Sequence, residues 1–77
     1  MIIDKILDLR ANPESFDAFH DGHYIYEEAI EFGFGYIADA FDCGTNKDCQ
    51  KALCRYIDEN DYNPDIKEFI NSFNWVE

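Results

Sequence analysis

The sequence predicts an all-α fold, a small bundle of four to six short helices. Apolar residues recur at three- or four-residue steps through most of the chain, and two Asn-Pro-Asp/Glu motifs are typical of helix starts. No run of alternating β-branched residues indicates a strand, and no linker or internal repeat divides the chain. We therefore expect residues 1–77 to form one acidic helical domain.

A first helix is expected over residues 1–10, followed by a short second helix. Three apolar residues of the first share one face: Ile3, Ile6 and Leu7. Asp4 and Asp8 lie one turn apart on another face. Asn12-Pro13-Glu14 predicts the start of the second helix, with Phe16 and Phe19 on its buried side. The turn signal Asp21-Gly22 should end it.

Residues 24–42 carry the longest helical pattern, but Gly33 and Gly35 interrupt it. Each glycine costs about 1 kcal/mol relative to alanine within a helix. The segment is therefore either one bent helix or two joined helices, and we favour two. A short strand at residues 24–26 is the alternative for its beginning.

The last third predicts two further helices. Gly44 is a terminator, and Thr45-Asn46-Lys47-Asp48 is typical of an N-terminal cap. The helix that follows should end near Asn60 and bury four residues: Cys49, Leu53, Tyr56 and Ile57. Asn63-Pro64-Asp65 predicts the start of the final helix, whose apolar stripe contains Ile66, Phe69, Ile70 and Phe73. Trp75 and Val76 should fold back on the core.

The charge balance limits the possible partners. Seventeen acidic residues against six basic ones give a net charge of −11. Nucleic acids and anionic membranes bind proteins through Lys and Arg, so direct binding to either is disfavoured. A basic protein is the expected partner. With neither a signal peptide nor an apolar membrane span in the sequence, we expect the cytoplasm, which an odd number of cysteines also suits.

Between Arg10 and Lys47 there is no Lys or Arg. If residues 24–42 were helical throughout, Glu28, Glu31, Asp39 and Asp42 would form one line. Acidic side chains three or four residues apart lie about 5–6 Å from each other, on the scale of neighbouring phosphates in nucleic acid. The predicted partner-binding residues are Glu27, Glu28, Glu31, Asp39, Asp42, Asp58, Glu59 and Asp61.

Two other interpretations of the charges stay open. Acids on the outside of a helix often serve only solubility. A cationic stripe of Lys47, Lys51 and Arg55 also lies among them, and it can pair with acids of its own chain or of a second subunit. A homodimer is therefore possible.

No motif points to catalysis, a cofactor or a metal. His20, His23 and the cysteines at 43, 49 and 54 are zinc-binding residue types, but the cysteines are five and six positions apart, without a Cys-x2-Cys pair. Nothing marks an activated thiol, and the acidic pairs have no specificity. We expect no enzyme activity, no cofactor and no metal site.

The segment Tyr36-Ile37-Ala38-Asp39-Ala40-Phe41, within an acidic helical chain, resembles a stretch of the Ocr-type phage anti-restriction proteins. The resemblance implies a DNA mimic from a phage or mobile element. Such a protein blocks the nucleic-acid-binding groove of a host defence protein, in the manner of anti-restriction or anti-CRISPR inhibitors. The alternatives are an immunity or antitoxin-like module that neutralises a basic toxin, and a small structural interaction subunit.

Overall fold

Five α-helices form the structure, a computed structural model that describes residues 1–76. The all-α prediction is confirmed, and residues 24–26 are helical rather than a strand. The helices are α1 (Ile2–Ala11), α2 (Ala18–Phe32), α3 (Gly35–Cys43), α4 (Asn46–Glu59) and α5 (Ile66–Ser72).

Each helix packs antiparallel to the next one along the chain. Lys5 of α1 donates a hydrogen bond to Asp21 near the start of α2 at 3.0 Å. The Tyr36 hydroxyl at the start of α3 donates to Glu59 at the end of α4, also at 3.0 Å. Gln50, early in α4, donates to the Asn71 carbonyl at the end of α5. The radius of gyration is 11.0 Å, close to the value of roughly 11 Å expected for a folded chain of this length.

The boundaries predicted for the second helix are wrong. Pro13 begins only a 3₁₀ turn, Pro13–Ser15, after which Phe16 is extended. The α-helix begins instead at Ala18, because the Asp17 carboxylate accepts a hydrogen bond from the Phe19 amide at 3.0 Å and so caps the helix. Asp21 and Gly22 therefore lie inside α2 and do not form a turn.

Gly33 divides residues 24–42 into two helices, as favoured from the sequence. Its φ of 81° lies in the left-handed region, where a residue without a Cβ is preferred. The Phe34 amide donates to the Ala29 carbonyl at 2.7 Å, which satisfies an end carbonyl of α2. The chain therefore reverses, and α3 runs back along α2.

The caps predicted for α4 are confirmed. The Thr45 hydroxyl accepts a hydrogen bond from the Asp48 amide at 3.2 Å, and the Asp48 carboxylate accepts one from the Thr45 amide at 2.9 Å. The helix ends at Glu59, with Asn60 as its cap. Before α5, the Asn63 side chain accepts a hydrogen bond from the Asp65 amide at 3.0 Å and fixes the turn.

The core joins all five helices. The four residues predicted from α4 are buried, as are Ile3 and Ile6 of α1. Leu7 and Phe19 are exposed, contrary to the sequence interpretation. The buried face of α1 therefore consists of Ile2, Ile3, Ile6 and Leu9, without Leu7. The most deeply buried large side chains are Ile2, Ile6, Leu9, Ile25, Ile37, Leu53, Tyr56, Ile57, Ile70 and Trp75.

Trp75 folds back on the core, as predicted. Its side chain is 1% exposed, and its ring lies 4.7 Å from that of Phe73 and 5.9 Å from that of Phe69. The indole N–H donates to the Ile70 carbonyl at 3.0 Å, and the Trp75 amide donates to Asn46 at the start of α4. The tail is thus tied to both α4 and α5.

None of the helices within residues 1–76 combines the length and apolar composition that crossing a membrane requires.

Two glycine substitutions should change stability in opposite directions. A Cβ at Gly44 would lie 2.7 Å from the Ala40 carbonyl oxygen and 2.9 Å from the Asp48 Cβ, whereas a Cβ at Gly22 within α2 would meet nothing within 4 Å. Gly44→Ala should lower the free energy of unfolding by about 1–3 kcal/mol through overpacking. Gly22→Ala should raise it by about 1 kcal/mol through helix propensity. Urea unfolding followed by circular dichroism measures both, and a Gly44→Ala protein as stable as the parent would contradict the packing described.

Candidate functional site

The acidic line predicted along residues 24–42 does not form, because it required one continuous helix. Glu28 and Glu31 lie on α2, whereas Asp39 and Asp42 lie on α3, beyond the reversal at Gly33. The two pairs therefore do not share one helix face. The prediction of a single row is wrong.

Carboxylates from α1 and α2 instead surround Tyr24. The pKa of Tyr24 is raised, first by the adjacent Glu28 carboxylate, then by burial and by the negative charges of Glu28, Asp4 and Asp8. Exposed charges act appreciably only over short distances. The Met1 ammonium lies 3.3 Å from the Tyr24 hydroxyl and 3.4 Å from the carboxylates of Asp4 and Glu28, which places Asp4 on the same surface as Tyr24 and Glu28. Asp8 follows Asp4 by one turn of α1.

Two more acids extend this surface along α2. Glu27 and Glu31 are exposed and follow Tyr24 by three and seven residues, which places all three on one side of the helix. We define the acidic face by the six residues that the two helices contribute: Asp4, Asp8, Tyr24, Glu27, Glu28 and Glu31.

Part of this charge is compensated within the chain. The Met1 ammonium lies 3.4 Å from the Asp4 carboxylate and 3.4 Å from that of Glu28. Glu27 lies 2.8 Å from the His23 ring nitrogen. Within residues 1–76, Asp8 and Glu31 take part in no ion pair. The acidic face therefore keeps a negative charge.

Lys5 is the cation at the edge of the acidic face. Its ammonium pairs with Asp21 at 3.0 Å and lies 5.0 Å from the centre of the Tyr24 ring. With Asp21 as its partner and the ring as a second contact, Lys5 is directed along the junction of α1 and α2. Lys5 thus links α1 to α2 through Asp21 and Tyr24.

Asp39 and Asp42 of α3 line two different clefts. Asp39 lines the cleft between α3 and α4 that Lys51 and Arg55 also line. Asp42 instead lies beside Trp75, at the groove between α2 and α3. Neither contributes to the acidic face.

The second acidic cluster lies at the end of α4 and is partly neutralised. The Lys67 ammonium is 2.8 Å from Asp58, and the Arg55 guanidinium is 3.2 Å from Glu59. Asp61 is exposed in the turn after α4, with a positive φ of 56°. Asp58, Glu59 and Asp61 thus form a surface separate from the acidic face.

Arg55, the last residue of the cationic stripe, is held within its own chain. Its guanidinium carbon lies 4.0 Å from the centre of the Tyr36 ring, while the Tyr36 hydroxyl donates to Glu59. Burial, followed by the Glu59 carboxylate, raises the pKa of Tyr36 to about 12. This three-residue cluster fastens the start of α3 to the end of α4.

An apolar groove opens beside α2. It has a volume of about 780 Å³ and lies between the first half of α2, the end of α3 and the C-terminal tail. Gly22 and Tyr26 of α2 face Phe41 of α3 across it, and Trp75 and Val76 form its third side. The sequence did not predict this groove.

The cysteines have no common site. Cys49 is buried, and burial raises the pKa of its thiol to about 11. Cys54 is half-buried beside Asn71, and Cys43 is exposed at the end of α3. No group of three or more His, Cys, Asp or Glu side chains in the described part of the chain is placed to hold a metal ion.

Comparison with models of known protein families found no match. Neither the curated proteins nor the solved structures contained a significant similarity to this chain. The resemblance of residues 36–41 to Ocr-type proteins stays a prediction.

Tyr36 should make stability fall at high pH. Its hydroxyl ionises near pH 10 in an unfolded chain and near 12 in the folded one. A raised folded pKa favours the protonated form, so its contribution is complete below pH 10 and is lost as the pH rises to 12. The free energy of unfolding of the parent should fall more steeply over this window than that of Tyr36→Phe, as measured by urea titration at several pH values. Equal slopes would contradict the burial and bonding of this hydroxyl.

Proposed function

We propose that the protein is a non-catalytic inhibitor that covers the nucleic-acid-binding groove of a basic partner, of the class of host defence enzymes. The observation that carries this proposal is the acidic face, to which α1 and α2 contribute five carboxylates beside Tyr24, two of them, Asp8 and Glu31, in no ion pair within residues 1–76. Its source would be a phage or another mobile element, and its place of action the cytoplasm of the host cell.

Charge and geometry support this proposal together. Acids one helical turn apart, such as Asp4 and Asp8 or Glu27 and Glu31, are separated by about 5–6 Å. Two such pairs on adjacent helices make a two-dimensional array, in contrast to the single row expected from the sequence. A groove lined by Lys and Arg for a nucleic-acid backbone would meet carboxylates at comparable intervals.

The net charge of −11 supports fast association with such a groove. Charges of one sign attract an oppositely charged partner over about a Debye length, roughly 8 Å at physiological salt. Acids outside the acidic face, including Asp39, Asp42, Asp58, Glu59 and Asp61, add to this long-range field. Contact itself is assigned to the acidic face, since its acids lie together and two of them have no ion pair within residues 1–76.

Tyr24 adds an aromatic ring to the acidic face. A surface that served only solubility would not need such a ring. The Tyr24 side chain is partly exposed in the middle of the carboxylates, and its ring is contacted by Lys5. Tyrosines are enriched at protein interfaces because they combine a large apolar ring with a polar tip. We assign it the central apolar contact with the partner.

Neutralising the acidic face should abolish competition with DNA. The variant Asp4→Asn/Asp8→Asn/Glu27→Gln/Glu31→Gln keeps the side-chain shapes and removes four charges. A labelled DNA duplex bound to purified restriction enzymes and CRISPR effectors reports competition through its fluorescence anisotropy. The parent should displace the duplex from at least one of them, and the variant should need about tenfold more protein or greater.

The control removes the same charge elsewhere. Four exposed acids outside the acidic face are replaced in Glu14→Gln/Asp61→Asn/Asp65→Asn/Glu68→Gln. This control should displace the duplex nearly as well as the parent. If the two quadruple variants lose potency equally, net charge alone acts and the assignment to the acidic face is wrong. If the parent displaces DNA from none of the enzymes, the proposed function is wrong.

A further inference from the structure

The groove between α2, α3 and the tail is a second surface whose form the fold does not explain. Its walls are aromatic: Tyr26 of α2, Phe41 of α3 and the edge of Trp75 contribute rings. At its rim Phe19 is 78% exposed, the most exposed large apolar side chain of the described residues. Apolar surface of this kind, left open to water, is typical of interaction sites.

Gly22 lines the groove without a side chain of its own. It lies inside α2 with an ordinary helical backbone, and a Cβ there would meet no atom within 4 Å. An alanine would fit and would favour the helix by about 1 kcal/mol. Neither a turn nor close packing requires a glycine here. The lack of a side chain instead leaves space between Tyr26 and the tail.

The charges around the groove indicate what fits it. Asp42 is exposed at its edge and takes part in no ion pair within the part of the chain described, residues 1–76. His23, the other ionisable group that lines it, already contacts Glu27 at 2.8 Å. A cation on the occupant would therefore meet a carboxylate without a competing partner.

A second copy of this chain fits these charges poorly. Each copy carries a net charge of −11, so two copies repel each other. The groove also presents a carboxylate at its rim rather than a cation that would attract the acids of another copy. The charge of the molecule favours an occupant that is both apolar and basic.

We propose that the groove binds a peptide segment of a partner protein in which large apolar side chains adjoin a Lys or Arg. The apolar side chains enter the space above Gly22 and pack on Tyr26 and Phe41, and the cation pairs with Asp42. This proposal does not depend on the acidic face, which meets the groove at the pair of Glu27 with His23. The protein would thus hold a partner by two surfaces of different chemistry.

A capped tetrapeptide with two leucines between two lysines is the probe. Titrated into isotope-labelled protein at physiological salt, it should shift the backbone amide signals of Gly22 and Val76 and leave those of α5 unchanged. A peptide with two serines between the lysines, and one with two leucines between two glutamates, should each shift these signals several-fold less. Absence of shifts at Gly22 and Val76, or equal shifts with all three peptides, would overturn the proposal.

Three variants locate the binding. Gly22→Leu fills the groove and should weaken the lysine–leucine peptide at least tenfold. Gly22→Ala, which should fold more stably than the parent, should weaken it to a lesser extent. Asp42→Asn should weaken it by up to about fivefold and reduce the preference over the glutamate peptide. Unchanged affinity in both Gly22 variants, or an unchanged charge preference in Asp42→Asn, would contradict the assignment.

The variant Asp4→Asn/Asp8→Asn/Glu31→Gln separates this proposal from the proposed function, because it leaves the Glu27–His23 pair beside the groove unchanged. It should keep the peptide affinity within about twofold, because screening limits the reach of these charges across the helix. Loss of DNA competition with peptide binding retained supports both proposals. If this variant binds the peptide as weakly as Gly22→Leu does, the groove is not an independent site.

Discussion

The packing of Trp75 is the interaction on which the rest of the structure depends. Its ring contacts rings from the α1–α2 connection, from α3 and from the α5 region, and its hydrogen bonds reach Asn46 of α4 and Ile70 of α5. Five short helices provide little core on their own in a chain of this size. One large ring at their common junction therefore stabilises all of them and also forms a wall of the groove.

The second constraint is the reversal at Gly33. It turns what looks in sequence like one long helix into an antiparallel pair, and so decides which charges are neighbours. Asp39 and Asp42 therefore lie on a different surface from Glu28 and Glu31, whereas Asp4 and Asp8 of α1 lie on the same surface as these two glutamates. The polyanion-like character of the surface thus depends on packing between helices, and no single helix carries it.

Much of the fold followed from local chemistry. The Thr45–Asp48 capping box and the terminator Gly44 were predicted, because each depends on residues close in sequence. The return of Trp75 was predicted because an exposed tryptophan is unfavourable, although its partners Phe16, Phe41 and Asn46 are distant in sequence. The start of α2 was not predicted correctly. Both Asn12-Pro13 and Asp17 are capping signals, and Asp17 prevails because it accepts the Phe19 amide while its own amide donates to Asp21. Gly22 was misread as a stop, since packing on both sides of α2 outweighs a modest propensity penalty.

The candidate site was predictable only in part. Glu27, Glu28 and Glu31 are adjacent by helical spacing alone, so the sequence identifies them. The spacing of Asp4 and Asp8 was visible, but their proximity to Tyr24 depends on how α1 lies on α2. The groove needs three separate segments and has no local signal beyond a glycine inside a helix. The most direct test of this account is urea unfolding of Trp75→Ala, followed by circular dichroism. A loss of about 3–5 kcal/mol in unfolding free energy is expected for a fully buried ring at the junction. A loss of less than about 1 kcal/mol, as for an exposed side chain, would contradict it.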